Sequence, residues 1–123
     1  MGGESLVVYV NGEYVPKDQA RISVFDFGFL RGDGVFDTTS AWNGRIFKLP
    51  QHLARLDLSL PAARIQCPLP LEELGNVIVE TTRRCGLRNA YVQTVVTRGE
   101  PPLGVRDLTK CTPGLVVFAV PYV

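Results

Sequence analysis

Arg55 lies in the stretch LPQHLARLDLSL, where Leu53, Leu56 and Leu60 recur at helical spacing and make a core stripe. At the border of that stripe a planar, permanently charged guanidinium can offer its fork to a carboxylate or phosphate. The position also suits a solvated helix arginine, and spacing alone favours that plainer reading. His52, the only histidine, stands one turn earlier. Any Ser-His-Asp triad would have to be built around it, and on pattern it reads as a packing or capping residue. Arg98 and Arg106 bracket a second cationic stretch, RGEPPLGVR, on a long Gly- and Pro-containing loop. Loops of this size often carry function, while exposed arginines also serve solubility, and the sequence does not choose between the two. Paired-histidine spacing for zinc is absent. The Gly-rich RGDGVF segment precedes a strand rather than a helix, which excludes the Walker and Rossmann phosphate cradles.

The elements that must position these residues follow from local patterns. Leu6–Val10 and Glu13–Val15 are strands joined by Asn11-Gly12, a strong hairpin signal because both turn residues need positive φ. Pro16 ends the second strand, and Lys17–Ser23 reads as an extended connection. Glycines 28, 32 and 34 argue against regular helix over Phe27–Gly34, with a short helical turn allowed around Phe29–Asp33. Val35–Trp42 and Arg45–Lys48 form a second hairpin about Asn43-Gly44. Pro50 suits the first turn of the helix that carries Arg55, which closes at or just after Pro61. Pro70 opens another helix, with Glu72 and Glu73 at its positive end, Arg83 and Arg84 in its last turn and Gly86 just beyond. Ala90–Thr97 and Leu115–Val120 are strands separated by the Arg98–Pro113 loop. Strands, two helices, then strands describe an α+β two-layer sandwich, an antiparallel sheet with two helices packed on one face.

With 123 residues, 46% hydrophobic and 20% charged, the chain suits one domain with a real core. Thirteen basic against twelve acidic residues give a net charge of +1, without the basic excess of a nucleic-acid or polybasic membrane binder. Nothing approaches a transmembrane run, and MGGESLVV lacks the pattern of a secretory leader. Cys67, Cys85 and Cys111 are odd in number and widely spaced, which suits reduced thiols in a cytoplasmic protein.

Taken together, VNGEYV, SVFDFGFLRGDGVFDTTSAWNGRIFKLPQHLARL and AYVQTVVTRG resemble the N-terminal half of the fold-type IV pyridoxal-phosphate enzymes. That family comprises branched-chain aminotransferases, D-amino-acid transaminases, (R)-selective amine transaminases and aminodeoxychorismate lyases. The combination of G-D-G-V-F, an N-G hairpin and F-x-L-x-x-H-x-x-R-L is far more specific than any one piece. The resemblance implies that Arg55 binds the phosphate of pyridoxal 5'-phosphate and that Phe36 lies on the substrate side of the cofactor. It implies that Arg31 faces the substrate pocket, as do Tyr91 and Gln93, which alternate with Val92 on their strand. In branched-chain enzymes the position of Gln93 is typically an arginine for the substrate carboxylate, so its identity here departs from that pattern. The Arg98–Arg106 loop resembles a carboxylate-binding loop that often reaches a neighbouring active site across a dimer, with Arg106 as its foremost candidate.

The resemblance further implies that the cofactor-attaching lysine and the carboxylate opposite the pyridine nitrogen lie in a C-terminal domain. Lys17, Lys48 and Lys110 all fall in the scaffold, so the expected catalytic set in this chain is none, and no metal is expected. Residues 1–120 then correspond to the small N-terminal domain and 121–123 to the start of the interdomain linker. The implied activity is amino transfer between an amino acid or amine and a 2-oxo acid by a cytoplasmic homodimer. A lyase of the aminodeoxychorismate type and a stand-alone non-catalytic domain are the alternatives.

Overall fold

In a computed structural model, which describes residues 6–122, the two Asn-Gly pairs do what their spacing requires. Asn11 and Gly12 take φ of 48° and 101° and join β1 (Val7–Val10) to β2 (Glu13–Pro16). Asn43 and Gly44 take 52° and 80° and join β3 (Gly34–Trp42) to β4 (Arg45–Ile46). The extreme N-terminus, read above as lacking a leader, and Val123 at the expected linker lie outside the described residues.

With β5 (Ala90–Glu100) and β6 (Thr112–Pro121), these strands form one antiparallel six-stranded sheet in the order β2-β1-β6-β5-β3-β4. Its core is the alternating set of one face: Ala41 on β3, Val92 and Val96 on β5, Leu115, Val117 and Ala119 on β6. Against it pack α2 (Leu49–Ala63), through Leu56 and Leu60, and α3 (Leu71–Cys85), through Leu74, Val77 and Ile78. Pro50 occupies the first turn of α2, and Pro70 precedes α3, whose end is turned by Gly86 at φ 66°. Thr81 and Thr82 are buried on α3 because each hydroxyl donates back to a carbonyl four residues earlier, Val77 and Ile78. Cys67, Cys85 and Cys111 are free thiols.

Several boundaries differ from the sequence expectation. Strand β4 stops at Ile46 rather than Lys48: Phe47 still donates to the Ser40 carbonyl, but Lys48 turns left-handed, φ 52°, to start α2. Lys17–Gln19 is a single 3-10 turn rather than extended chain. The long loop is shorter than expected, since β5 continues to Glu100, β6 begins at Thr112, and a 3-10 turn spans Leu108–Lys110 between them. A short helix, α1 (Phe27–Arg31), contains Gly28 despite that residue's poor propensity. The reason is close packing: a Cβ on Gly28 would collide with Thr97 Cγ2 and lie 2.9 Å from Asp26 Oδ1. Asp26 caps the helix, accepting from Gly28 N at 2.6 Å and from the Thr97 hydroxyl at 2.9 Å.

Candidate functional site

Strand β3 divides its residues between two environments. Asp37, Thr39 and Ala41 turn toward the helices and are buried; Phe36, Thr38, Ser40 and Trp42 turn to the opposite, uncovered face. Because β4 pairs only with Ala41 and Trp42, the first half of β3 has a free edge. Facing that edge from the helix layer is α2, with His52 and Arg55 one turn apart.

A carboxylate facing a helix layer needs compensation, and Asp37 has it from both residues. Its Oδ1 accepts from Arg55 Nε at 2.8 Å and Nη2 at 2.6 Å, and its Oδ2 lies 2.7 Å from His52 Nδ1. An ionised Asp37 can only accept, so Nδ1 carries a proton toward it. Arg55 Nη2 is 3.3 Å from the same Nδ1. Since both are then donors, that is a contact rather than a hydrogen bond. The pair is asymmetric in exposure: the Arg55 side chain is 63% exposed and Asp37 only 9%. Arg55 is therefore gripped along its Nε–Nη2 side, while the Nη1–Nη2 end of the fork remains open to solvent. This donor set suits a phosphate, which takes two parallel N–H bonds from an arginine.

On the uncovered face, cross-strand register brings three of the expected residues together. Phe36 stands opposite Val95, Thr38 opposite Gln93, and Ser40 opposite Tyr91. Phe36 is exposed, and Gln93 lies about 7 Å along the sheet from it, at the strand rise of ~3.3 Å per residue. Tyr91 is farther along and stacks on Tyr122, ring centroids 4.6 Å apart, with Trp42 against the same ring at 4.7 Å.

Arg31 and Arg106 share a different wall of the same end of the sheet. With Phe25, Leu30, Leu103 and Val105 they line an open cleft of about 580 Å³ between α1 and the β5–β6 connection. Arg31 lies over the Phe27 ring at 4.2 Å. Gly34 pairs with Thr97, so this cleft and Phe36 adjoin the same strand ends.

Arg98, grouped with Arg106 on sequence, has another occupation. Its Nε donates to Asp33 Oδ2 at 2.8 Å, Nη1 to the Arg64 carbonyl at 2.8 Å, and Nη2 to the Ala63 carbonyl at 2.9 Å and Asp33 Oδ1 at 3.3 Å. The Asp33 hydrogen bond pushes its already high pKa further up. Every guanidinium nitrogen is engaged, and the last carbonyls of α2 are capped by a cation, as the helix dipole favours. The substrate role expected for Arg98 is thus not supported by its geometry, because no edge of its fork is left for a ligand. Nearby, burial pushes the Cys111 thiol up, with Arg98 pulling it partly back.

Asp37 and Asp33 were not singled out from sequence. For Asp37 a signal existed: GVFDTTSAW places a carboxylate on the strand face whose other members, Thr39 and Ala41, point to the core. Such a residue demands cations from the facing helix, and H-x-x-R supplies two on one side. Lys17, Lys48 and Lys110 are all exposed, Lys17 beside Asp18 and Lys48 over the Phe47 ring. None lies in the desolvated pocket that activates a lysine for nucleophilic attack. Among the described residues no group of acidic, histidine or cysteine side chains could hold a metal, and no helix is long and apolar enough to cross a membrane.

An antiparallel sheet with helices on one face and a solvent-facing arginine at its free edge defines the α+β class of this domain. Residues 34–122 match the family model described as amino-transferase class IV, and the chain belongs to that family. It is 44% identical to a Methanocaldococcus jannaschii protein named "Putative branched-chain-amino-acid aminotransferase", over 93% of this chain and 40% of that protein. It is 28% identical to the D-alanine aminotransferase of Staphylococcus haemolyticus, over 94% of this chain and 41% of the relative. Among solved structures, a T.th. branched-chain amino acid aminotransferase with pyridoxamine 5'-phosphate superposes with a TM-score of 0.85 at 30% identity, covering 96% of this chain and 41% of the other. The chain thus spans about two fifths of the length of these relatives.

Proposed function

We propose that this chain is the N-terminal, cofactor-gripping domain of a pyridoxal 5'-phosphate-dependent aminotransferase, acting in the cytoplasm as a homodimer. The observation that carries this reading is the Arg55 fork, anchored on one side by Asp37 and open on the other. Arg55 holds the cofactor phosphate through charge-assisted hydrogen bonds. When bound, the cofactor supplies the electron sink that lets an amino group pass between an amino acid or amine and a 2-oxo acid. Phe36 walls the substrate side, Gln93 offers a neutral amide there, and Arg31 and Arg106 supply positive charge for a substrate carboxylate. The attaching lysine comes from a second domain. Large apolar side chains left in solvent, among them Phe25, Phe29, Phe36 and Leu103, support a domain that is covered by further structure rather than one that works alone.

Relatives named for branched-chain and for D-amino acids both match this chain. Gln93 in place of a carboxylate-binding arginine favours use of Arg31 and Arg106. The test is amino transfer to 2-oxoglutarate by the protein that contains this domain, with L-leucine, D-alanine and an (R)-amine as donors. We expect transfer from at least one donor, and loss of cofactor retention in Arg55→Ala. A cofactor-loaded protein that transfers from none of the three, or that retains cofactor unchanged without Arg55, would overturn the assignment.

A further inference from the structure

Arg55 extends from an exposed helix face, where an arginine ordinarily samples many rotamers and presents its fork in no fixed direction. Here one buried carboxylate oxygen takes two of its N–H groups, from Nε and Nη2. That side-on grip leaves the Nη1–Nη2 end as the edge available to an anion. The second oxygen of the same carboxylate takes His52 Nδ1, so Asp37 cannot turn without breaking contacts to two residues on α2. Asp37 is itself fixed by the strand: it stands opposite Thr94 in the β3–β5 ladder, and its neighbour Phe36 faces the uncovered side.

From this geometry we propose that Asp37 is a positioning residue for anion recognition: it holds the Arg55 fork edge-on at the free edge of β3, with His52 locking the carboxylate. The proposal rests on Arg55 being the phosphate handle and adds how that handle is aimed. It carries a sign that separates it from the plainer alternative. Asp37 puts a negative charge 2.6 Å from a guanidinium nitrogen. As a mere counter-charge it would weaken anion binding, so neutralising it would strengthen the attraction of Arg55 for phosphate. As a positioning residue it does the reverse, because removing it frees the fork and the ordering must then occur on binding.

The probe is pyridoxamine 5'-phosphate, whose amine cannot condense with a lysine and so reports non-covalent binding. Its affinity for the protein that contains this domain, freed of cofactor, is read by fluorescence anisotropy for the wild type, Asp37→Asn and Arg55→Ala, with circular dichroism as the check on folding. Asp37→Asn keeps the size and one acceptor oxygen while removing the charge. Expected is about tenfold weaker binding in Asp37→Asn, as is common when the partner that orients a ligand-binding side chain is lost, and a larger loss in Arg55→Ala. Equal or tighter binding by a folded Asp37→Asn would overturn the positioning role while leaving Arg55 as the handle. Failure of the wild type to bind, or unchanged binding in Arg55→Ala, would remove the handle and this inference with it. A second readout needs no variant: the Arg55 Nε–H group of the wild type should relax like rigid backbone, with an order parameter near about 0.85. A value below about 0.6 would overturn the proposal even if Asp37→Asn does not fold.

Discussion

Two arginine–aspartate pairs in this domain look alike in sequence and do opposite work. Arg98 meets Asp33 and two backbone carbonyls, and its side chain is only 16% exposed. Arg55 meets Asp37 along one side and stands 63% exposed. The first pair joins β5 to the end of α2 and the start of β3. The second pair holds a charge in place and leaves it unsatisfied. The difference shows that an arginine's role is decided less by its own burial than by how many of its five N–H donors the fold consumes.

The sharpest way to break the first pair is to disturb the backbone that aims it. Gly99, beside Arg98, sits at φ 80° in the irregularity where β5 and β6 change register. A Cβ there would collide with the Thr112 carbonyl oxygen and lie 2.5 Å from the Thr112 carbonyl carbon. Neither can move without opening the ladder. Gly99→Ala should therefore cost about 4 kcal/mol or more, or prevent folding. Urea unfolding measures it, and a loss under about 1 kcal/mol would mean the two strands part easily at this end.

Removing the side chain itself comes next. Arg98→Ala strips the cap from α2 and leaves Asp33 without its cation, at a cost of about 3 kcal/mol by analogy with partly buried pairs. Arg98→Lys should restore little of this, because an ammonium cannot span Asp33 and both carbonyls at once. Thermal melts of the two variants check the order. Arg55→Ala inverts the pattern. Its stability loss should be smaller, about 1 to 2 kcal/mol, because His52 still faces the buried Asp37 carboxylate, while binding of pyridoxamine 5'-phosphate should fall by about tenfold or more as charge-assisted bonds are lost. Equal stability losses for Arg98→Ala and Arg55→Ala would erase the distinction between a tie and a handle.

That distinction was only half legible in the sequence. The two Asn-Gly hairpins, the leucine stripe of α2 and the proline-to-glycine bounds of α3 are local signals, and the fold reproduces them to within a few residues. Arg55 was singled out as a phosphate ligand by the resemblance of its surrounding motif, not by spacing, which favoured a solvated helix residue. Arg98 was placed with Arg106 because both lie near one loop. Its true partners, Asp33 and the carbonyls of Ala63 and Arg64, are 65, 35 and 34 positions away in the chain. No local pattern reports that a helix end so far upstream needs a cap. Gly28 failed for the same reason: its propensity opposes helix, but the deciding neighbour is Thr97, far along the chain on β5.

A third arginine–carboxylate group tests the rule at its weak limit. On the exposed side of α3, Glu80 accepts from Arg83 at 3.0 and 2.6 Å and from Arg84 at 2.7 Å. Those hydrogen bonds, Arg83's first, hold the Glu80 carboxyl down to about 2, against an ordinary value of 4.5. A carboxyl whose pKa is lowered by folding adds stability above its unfolded value and loses it as pH falls through the folded one. The contribution of Glu80 should thus be complete above roughly pH 5 and fade between about 4.5 and about 2. Glu80→Gln should flatten that part of the melting temperature's pH dependence and leave neutral-pH phosphate binding untouched. The expected effect is small, because water competes for every atom involved. Like Arg55, Arg83 gives only Nε and Nη2 to one carboxylate and stays largely in solvent; unlike Arg98, it ties together only one turn of one helix. If Glu80→Gln destabilised the domain as much as Arg98→Ala, the number of donors consumed would matter more than what they join. We expect the reverse, with the long-range tie outweighing the local one.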